Sequence, residues 1–586
     1  MSDLRFWASA IRGSFPHDMN DPTDQAGKNA KLRKVEFLAL AEELQSYILS
    51  FLPWQDILRC ASVSHKFTAE PPGSIVISFW QVCKALRQTY ISSSELQYII
   101  ELGGQGLLPV RIADPGNHTS VSQRLQLLRD KAHAWFQFNF HTHSFQTFSI
   151  EEQFHDVTIS LADGHFCLWH RETEDSENWA KIVPLLPKSS EQTVERHWPP
   201  ESLCPVPNAY IVDVYMDPAQ NLIAIAYGVN DDTIQEGRFY VDLRTLDGDG
   251  IHPQAAGQTL FLSVHTAQDN HDLFTVMEDL QLKGFGRHLA LQCCPVFNDV
   301  VSTPRVPWWL QLWDWQHSTR SNSNLSDMMV LQSIDFCFVG NDRLLLVSDD
   351  LKLYSIEDMS RQPQLLACYS FPFPVKRIQC FQPTTDIAHG SQMQMPAQQT
   401  MWTSDPEHRL LCCVVFHPSP RLAFAISTKI FFELDSERVG EKAVTFPWEK
   451  WGPTNARLFQ DPWQVCVSGN RLLQVFPGGA RSRYRIHMMD FSPLAVERRQ
   501  GLGLVVKKPS TIEINELGKT LTTSLPYVEV VSDRVFDAIE LIGMWVDTDR
   551  IYLAKMMDPP DDDPGDLRMD QLEVIEMSSG LSESLS

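Results

Sequence analysis

Three groups of side chains have types and spacings from which chemistry could be built. Arg481, Arg483 and Arg485 alternate in the run Arg-Ser-Arg-Tyr-Arg, so an extended chain puts all three on one face. Guanidinium forks at that spacing suit an acidic or phosphorylated peptide gripped through paired hydrogen bonds; a solvated strand face is the plainer reading of the same residues. His141-Thr-His143 and His155 could ligate a metal only if strands brought them together, and no Cys or carboxylate at ligand spacing accompanies them. Asp247-Gly-Asp249-Gly begins like a calcium loop, yet Gln258 stands at the twelfth position, where a bidentate carboxylate is needed. A hairpin turn is expected there.

Other chemistry is absent by motif. The chain has no Gly-x-x-x-x-Gly-Lys-Ser/Thr phosphate loop, no His-Glu-x-x-His and no Gly-x-Ser-x-Gly elbow. Its 12 cysteines include no Cys-x-x-Cys, and the adjacent pairs Cys293-Cys294 and Cys412-Cys413 lie in apolar runs, so buried free thiols are expected. Trp308-Trp309 is read as core. No catalytic residue, cofactor or metal is assigned, and the chain is read as a non-enzyme.

The elements that would position these residues change character along the chain. Residues 1–35 carry Pro16, Pro22, Gly27 and a small basic cluster without apolar periodicity, as in a flexible leader. Leu40, Leu44, Ile48, Phe51 and Leu52 then recur at helical steps, and Pro53 ends that helix. Ile57, Leu58 and Ala61 repeat the spacing behind Asp56, which suits a helix N-terminus. Ser92-Ser93-Ser94-Glu95 has capping-box form before Leu96 to Leu102, and Gly103-Gly104 closes that helix. Ser122 to Trp135, with Leu125, Leu128 and Ala132, completes a helical linker over 103–138.

Beyond Phe138 the period switches to two. Apolar strands and tight turns recur as Asp213 to Leu222, as Ile334 to Ile356, and as Cys413 to Pro418 before Leu422 to Ile426 and Lys429 to Glu433. The step from Pro418 to Pro462 matches the ~40–45 residues of a four-stranded propeller blade. Leu312-Trp313-Asp314 is similar to the strand ending of WD repeats. An α+β multidomain chain is therefore expected: small all-α N-terminal helices, then a large all-β domain over 139–557, read as an irregular WD-like β-propeller, with a pair of β-sandwiches as the alternative. Residues 558–586, with nine acidic side chains and one Arg, read as a disordered acidic tail.

Composition restricts the partners. Hydrophobic residues make 43% of the 586, the proportion of a chain that buries a core, while 73 acidic against 49 basic residues leave −24. Nucleic acid and anionic membrane are polyanions that such a chain repels, so neither is an expected partner. Met1-Ser-Asp-Leu-Arg-Phe-Trp begins no signal peptide, and no uninterrupted apolar run of transmembrane length occurs; a cytoplasmic and/or nuclear location is expected.

Leu40-Ala-Glu-Glu-Leu44, Ile48-Leu-Ser-Phe51-Leu52-Pro53 and Asp56-Ile-Leu58-Arg-Cys60 together resemble an F-box, whose pattern runs Leu-Pro-x-Glu-Leu, Ile-x-x-x-Leu, Asp-Leu and Val-Cys-x-x-aliphatic. Ala41 replaces the usual Pro of the first turn. The wider run to Trp135 is similar to F-box proteins of mushroom-forming (basidiomycete) fungi, with an F-box domain over 36–102. The closing motif occurs twice, as Val63-Ser-His-Lys-Phe67 without its Cys and as Val82-Cys83-Lys84-Ala-Leu86 with it. Excising Val63–Gln81 restores an uninterrupted F-box. Val-Ser and Gln can be encoded by intron donor and acceptor ends, so 63–81 reads as an unspliced-intron insert, and a genuine loop turning at Pro71-Pro72-Gly73 is the alternative. Sequencing the transcript across this stretch decides between them.

The resemblance implies a substrate-receptor subunit of an SCF-type cullin–RING ubiquitin ligase. Leu40, Leu44, Ile48, Leu52, Pro53, Ile57, Leu58 and Val82 would dock a Skp-family adaptor, and through it cullin and the RING subunit. The β domain would present an unknown target protein, with Arg481, Arg483 and Arg485 as candidate contacts. The alternative is a propeller scaffold that binds proteins without ubiquitin transfer.

Overall fold

A computed structural model describes residues 37, 40–62, 85–110, 119–138, 145–153, 157–171, 177–185, 193–231, 236–262, 279–294, 306–329, 334–375, 377–381, 401–416, 421–434, 443–477, 483–498, 501–537, 541–555 and 568–577. Residues 1–35, read above as a leader, and 63–81, read above as an insert, lie outside them. Two compact units divide the chain, Met1–Gly104 with Gly116–Arg129, and Gln105–Pro115 with Asp130–Ser586.

The first unit is helical. Helices α1 (Glu42–Leu49) and α2 (Trp54–Ser62) flank the Pro53 turn, and Glu42 and Glu43 in the first turn of α1 complement its dipole. Residues 85–92 form α3, followed by α4 (Ser94–Gly104). The Ser93 hydroxyl accepts the Leu96 N–H at 3.3 Å, which is one half of the expected capping box. The reciprocal half is missing because Leu96, not an acid, stands three residues after the cap. Leu49, Ile57, Leu96, Ile100 and Leu102 are buried, as are Leu125 and Leu128 at the start of α5 (Val121–Gln137). Gly103 lets the Trp54 ring lie directly against α4, where any Cβ would collide with it.

The second unit is a seven-bladed β-propeller. Blade one comprises Val157–Ala162, His165–His170, Trp179–Pro184 and Arg196–Trp198, and blade two Ala209–Asp217, Leu222–Asp231, Glu236–Thr245 and Thr259–Phe261. Blade three holds Asp279–Phe285, His288–Cys294, Val306–Asp314 and Asn324–Met329; blade four Asp335–Phe338, Arg343–Val347, Asp350–Ser355 and Gln364–Ser370. Blade five is built from Ile378–Phe381, Leu410–Val415, Leu422–Ser427 and Ala456–Gln460, and blade six from Val465–Ser468, Arg471–Pro477, Arg483–Asp490 and Tyr527–Asp537. In blade seven Leu541–Val546, Arg550–Lys555 and Arg568–Glu576 are joined by Phe145–Gln153, which pairs antiparallel with the last strand from Phe145↔Ile575 to Gln153↔Arg568.

Packing explains the wholly apolar strands. A central strand of a blade is covered on both faces by its neighbours, so His165–His170 and Leu410–Val415 are buried at every position rather than alternating. The described residues form seven hydrophobic clusters, one at each junction between adjacent blades. The cluster of Leu161, Phe166 and Leu168 with Tyr552, Leu572 and Val574 joins blade one to blade seven. A pair of sandwiches would leave outer faces unpacked, so that alternative is excluded. Trp313, next to last in the third strand of its blade, is fully buried, its Nε1 donating to Phe261 O at 3.2 Å. Trp308 and Trp309 are core, as expected.

Four expectations are corrected. Residues 568–577 are not a disordered tail: Leu572, Val574, Ile575 and Met577 are buried, and the acidic count hid this pattern because Glu573 is itself buried and paired with Arg534 and Lys555. The propeller therefore runs past residue 557; residues 558–567 and 578–586 lie outside the described residues. The segment 103–138 is not wholly helical, since Leu107–Pro109 pairs antiparallel with Trp402–Ser404 after Gly106 turns at φ 66°. Lys429–Glu433 is no third strand: Thr428–Phe431 is a short 3-10 turn that buries Ile430 and Phe431, and Leu422–Ser427 pairs instead with Ala456–Gln460. Blades four and six also gain fifth strands, Val444–Phe446 and Leu504–Val506.

His288 gives the propeller a pH dependence. It is 1% exposed, neither ring nitrogen has a hydrogen-bond partner among the described residues, and burial followed by the Arg287 charge pushes its pKa down to about 4. An unfolded His protonates near 6.5, so the stability due to the neutral buried ring is present above that pH and is lost as pH falls through about 4. Urea unfolding followed across this window is expected to show a slope of up to about 1.4 kcal/mol per pH unit that disappears in His288→Leu. An unchanged slope in the variant would refute this assignment.

Candidate functional site

The helical unit turns an apolar face outward. Leu44, Tyr47 and Ile48 on α1 and Phe51 just past its end stand at positions i, i+3, i+4 and i+7, and they are 51%, 59%, 38% and 59% exposed. Tyr47 and Phe51 meet edge to face at 4.9 Å, so the aromatic pair is already arranged. The opposite side of α1 carries Gln45 and Leu49 inward. Gln45 Nε2 donates to Leu40 O at 2.8 Å, and the Thr89 hydroxyl donates to Gln45 Oε1 at 3.1 Å. The polar side chain is thus satisfied inside while the apolar ones face out.

The expected adaptor contacts divide accordingly. Leu44, Ile48 and Pro53 are exposed, and Leu40, Leu52 and Leu58 are half-buried on the same segment. Ile57 is corrected: at 1% exposure it belongs to the core of its own unit and is not available for docking. Val82 lies outside the described residues. Tyr47 and Phe51, exposed beside Leu44 and Ile48, extend this apolar face beyond the aliphatic positions named from the sequence.

The propeller holds the second candidate surface. Arg483 and Arg485 are exposed on the third strand of blade six, while Arg481 lies outside the described residues. Arg483 Nε stands 3.9 Å from Asp537 Oδ1. Tyr484, between them, meets Trp463 edge to face at 4.3 Å, and Trp463, Gln464, Val475, Tyr484, Asp537 and Leu541 line a shallow groove. Arg485 pairs with Phe476, which packs on the cluster between blades five and six. On blade five, Arg377 and Arg421 lie over the Phe416 ring at 5.1 and 5.5 Å from its centroid.

The remaining sequence candidates resolve simply. Asp247 to Gly250 form a turn whose Asp249 carboxylate pairs with Arg196, as the hairpin reading expected. His141, His143 and His155 lie outside the described residues, and among the described residues no group of three or more His, Cys, Asp or Glu is arranged to hold a metal. Cys293, Cys412 and Cys413 are buried free thiols. Cys380 faces Cys413 across the ladder, and hydrogen bonds with the Cys337 and Cys413 thiols hold it down to about 6 against burial; all three are core residues. Among the described residues no helix is long and apolar enough to cross a membrane.

Fold and surfaces define a seven-bladed β-propeller chain with an N-terminal helical unit. No protein-family model and no curated protein matches it. Among solved structures it is similar to prolyl oligopeptidase B from Galerina marginata bound to a 35mer hydrolysis and macrocyclization substrate, at 10% identity and TM-score 0.31, covering 73% of this chain and 49% of that one. It is likewise similar to Pyrococcus horikoshii acylaminoacyl peptidase, at 8% identity and TM-score 0.31, covering 70% and 51%. The chain spans about half the length of these structures. A likeness at this distance carries no inference about activity.

Proposed function

We propose that this chain is the substrate-receptor subunit of an SCF-type cullin–RING ubiquitin ligase. The helical unit docks a Skp-family adaptor, which bridges to cullin and the RING subunit, and the propeller holds a target protein. The observation that carries this reading is the outward apolar face of Leu44, Tyr47, Ile48 and Phe51, leading into the Leu52-Pro53 turn, on the segment that resembles an F-box. Three large apolar side chains exposed on a short helix, with a fourth in the turn that follows, are costly unless a partner covers them. In this reading the chain is not the enzyme: it raises the effective concentration of target lysines at a conjugating enzyme held elsewhere in the complex.

Purification of the tagged chain under proteasome inhibition tests the assignment. Adaptor, neddylated cullin, RING subunit and ubiquitylated client proteins are the expected companions. Adaptor without cullin would instead make the chain a non-ligase scaffold, and absence of both would end the F-box reading.

A further inference from the structure

We propose that Cys380, on the first strand of blade five, is an oxidation site at which hydrogen peroxide forms a reversible disulfide to Cys413 across the ladder. This goes beyond the receptor reading and does not depend on it. Cys380 and Cys413 are Cα partners on antiparallel strands, and Cys337 of blade four completes the trio of thiols in one cluster. The Phe416 N–H donates to Arg377 O at 3.0 Å, so hydrogen-bonded pairs of this ladder recur at every second position from Arg377, and Cys380 falls in a pair between them. Its own N–H agrees, turning away from Cys413 to donate to Asp335 Oδ2 at 2.6 Å. Opposed residues of that kind have Cα atoms about 4.5 Å apart and their side chains close together, inside the ~4.4–6.8 Å that a disulfide spans. The two sulfurs can therefore join without moving the backbone.

The surroundings favour Cys380 as the attacking sulfur. Asp335 Oδ1 accepts from Lys283 Nζ at 2.6 Å, so an ammonium stands on the same carboxylate that holds the Cys380 N–H. Hydrogen bonds from the Cys337 and Cys413 thiols, helped by the Lys283 charge, outweigh burial and the Asp335 charge and favour the Cys380 thiolate. Cys380 is 8% exposed against 1% for Cys337 and 0% for Cys413, so it is the member of the trio that a water-sized oxidant meets. Cys204 and Cys368 have more surface, yet burial raises both thiols, and Asp350, which accepts from the Cys368 thiol at 3.4 Å, helps push Cys368 up to about 12. Reactivity is thus expected to run against exposure. In the reaction the Cys380 thiolate attacks one peroxide oxygen, the O–O bond breaks, and the departing hydroxide takes up the thiol proton as water, leaving a sulfenic acid. The Cys413 sulfur then attacks the sulfenic sulfur, the S–O bond breaks, and hydroxide leaves with the Cys413 proton as a second water. Two thiols lose two electrons, and one peroxide gains them.

The test treats the reduced full chain with hydrogen peroxide, alkylates the remaining thiols under denaturing conditions and reads the peptides by mass spectrometry. A Cys380–Cys413 cross-linked peptide is expected, two hydrogens lighter than its reduced parts and restored to them by dithiothreitol. Cys380 should be lost from alkylation about tenfold or more faster than Cys204 and Cys368. Cys380→Ser should abolish the cross-link, and Cys413→Ser should leave Cys380 oxidised without it, as a sulfenic acid trapped by dimedone or as a bridge to Cys337. Unchanged thermal unfolding shows that these variants are folded, and the wild-type cross-link is read without them. Oxidation of Cys204 or Cys368 ahead of Cys380, a wild-type bridge to Cys337 in place of Cys413, or a cross-link that forms only in urea would overturn the proposal.

Discussion

Replacing Tyr47 and Phe51 together by Ala is expected to lower the affinity of the chain for a Skp-family adaptor by about a hundredfold, with thermal unfolding unchanged. Both side chains are 59% exposed, so the isolated chain gains little from them. Covering such a side chain is worth ~1.5–3 kcal/mol, and two lost at the lower figure remove about 3 kcal/mol, or two decades in affinity. Ile57→Ala is the informative contrast. That residue is buried, so its truncation is expected to cost ~2–5 kcal/mol of stability and to weaken binding only through unfolding of the helical unit. Calorimetric titration beside a thermal melt distinguishes the two. Full affinity in the double variant would remove α1 from the docking surface.

Breaking the closure of the propeller is expected to have the largest effect on stability. Removal of residues 568–577 takes away the strand that joins Phe145–Gln153 to Arg550–Lys555 and with it much of the cluster between blades seven and one. No folded propeller is expected from that truncation. A gentler probe is Glu573→Ala. Burial alone would raise the pKa of Glu573, but hydrogen bonds from Lys555 and Arg534 outweigh it and hold the carboxyl below its usual range. Its truncation leaves two cations beneath the blade and is expected to cost about 3 kcal/mol, the lower end for a broken buried pair because Arg534 keeps part of its hydration. A depressed carboxylate stabilises above its unfolded pKa and loses that contribution as pH falls through the folded value, so Glu573→Ala should also flatten acid unfolding. Wild-type stability in this variant would contradict the ion-pair role.

Much of the propeller was legible because blade strands are short, apolar and separated by turns, as in Ile334 to Ile356 and Leu312-Trp313-Asp314. Its regularity was not, because insertions interrupt the repeat: between Phe381 and Leu410, and again between Phe431 and Ala456, blade five takes long excursions before its next strand. The closing strand was hidden by charge counting. Nine acidic residues suggested solvent, yet Leu572, Val574 and Ile575 carry the strand and Glu573 is neutralised within it.

In the helical unit the helices were legible, but not which side of each apolar stripe its neighbours cover. Periodicity finds an apolar stripe but does not say whether the stripe faces in or out. In α1 Gln45 and Leu49 point inward, with Gln45 Nε2 donating to Leu40 O and its Oε1 accepting from the Thr89 hydroxyl, while Leu44, Tyr47 and Ile48 are left outside. Ile57 follows the same spacing rule in α2 and ends up in the core, because α4 covers it. Burial by a neighbouring helix is a tertiary fact that local spacing does not encode.

The most direct measurement of the central claim is hydrogen exchange on the full chain with and without a purified Skp-family adaptor, on a sample whose mass is followed by light scattering. A one-to-one complex with new protection confined to α1 and the Pro53 turn is predicted. No complex, or a complex that protects only the propeller blades, would contradict the assignment of this chain as an adaptor-docked receptor.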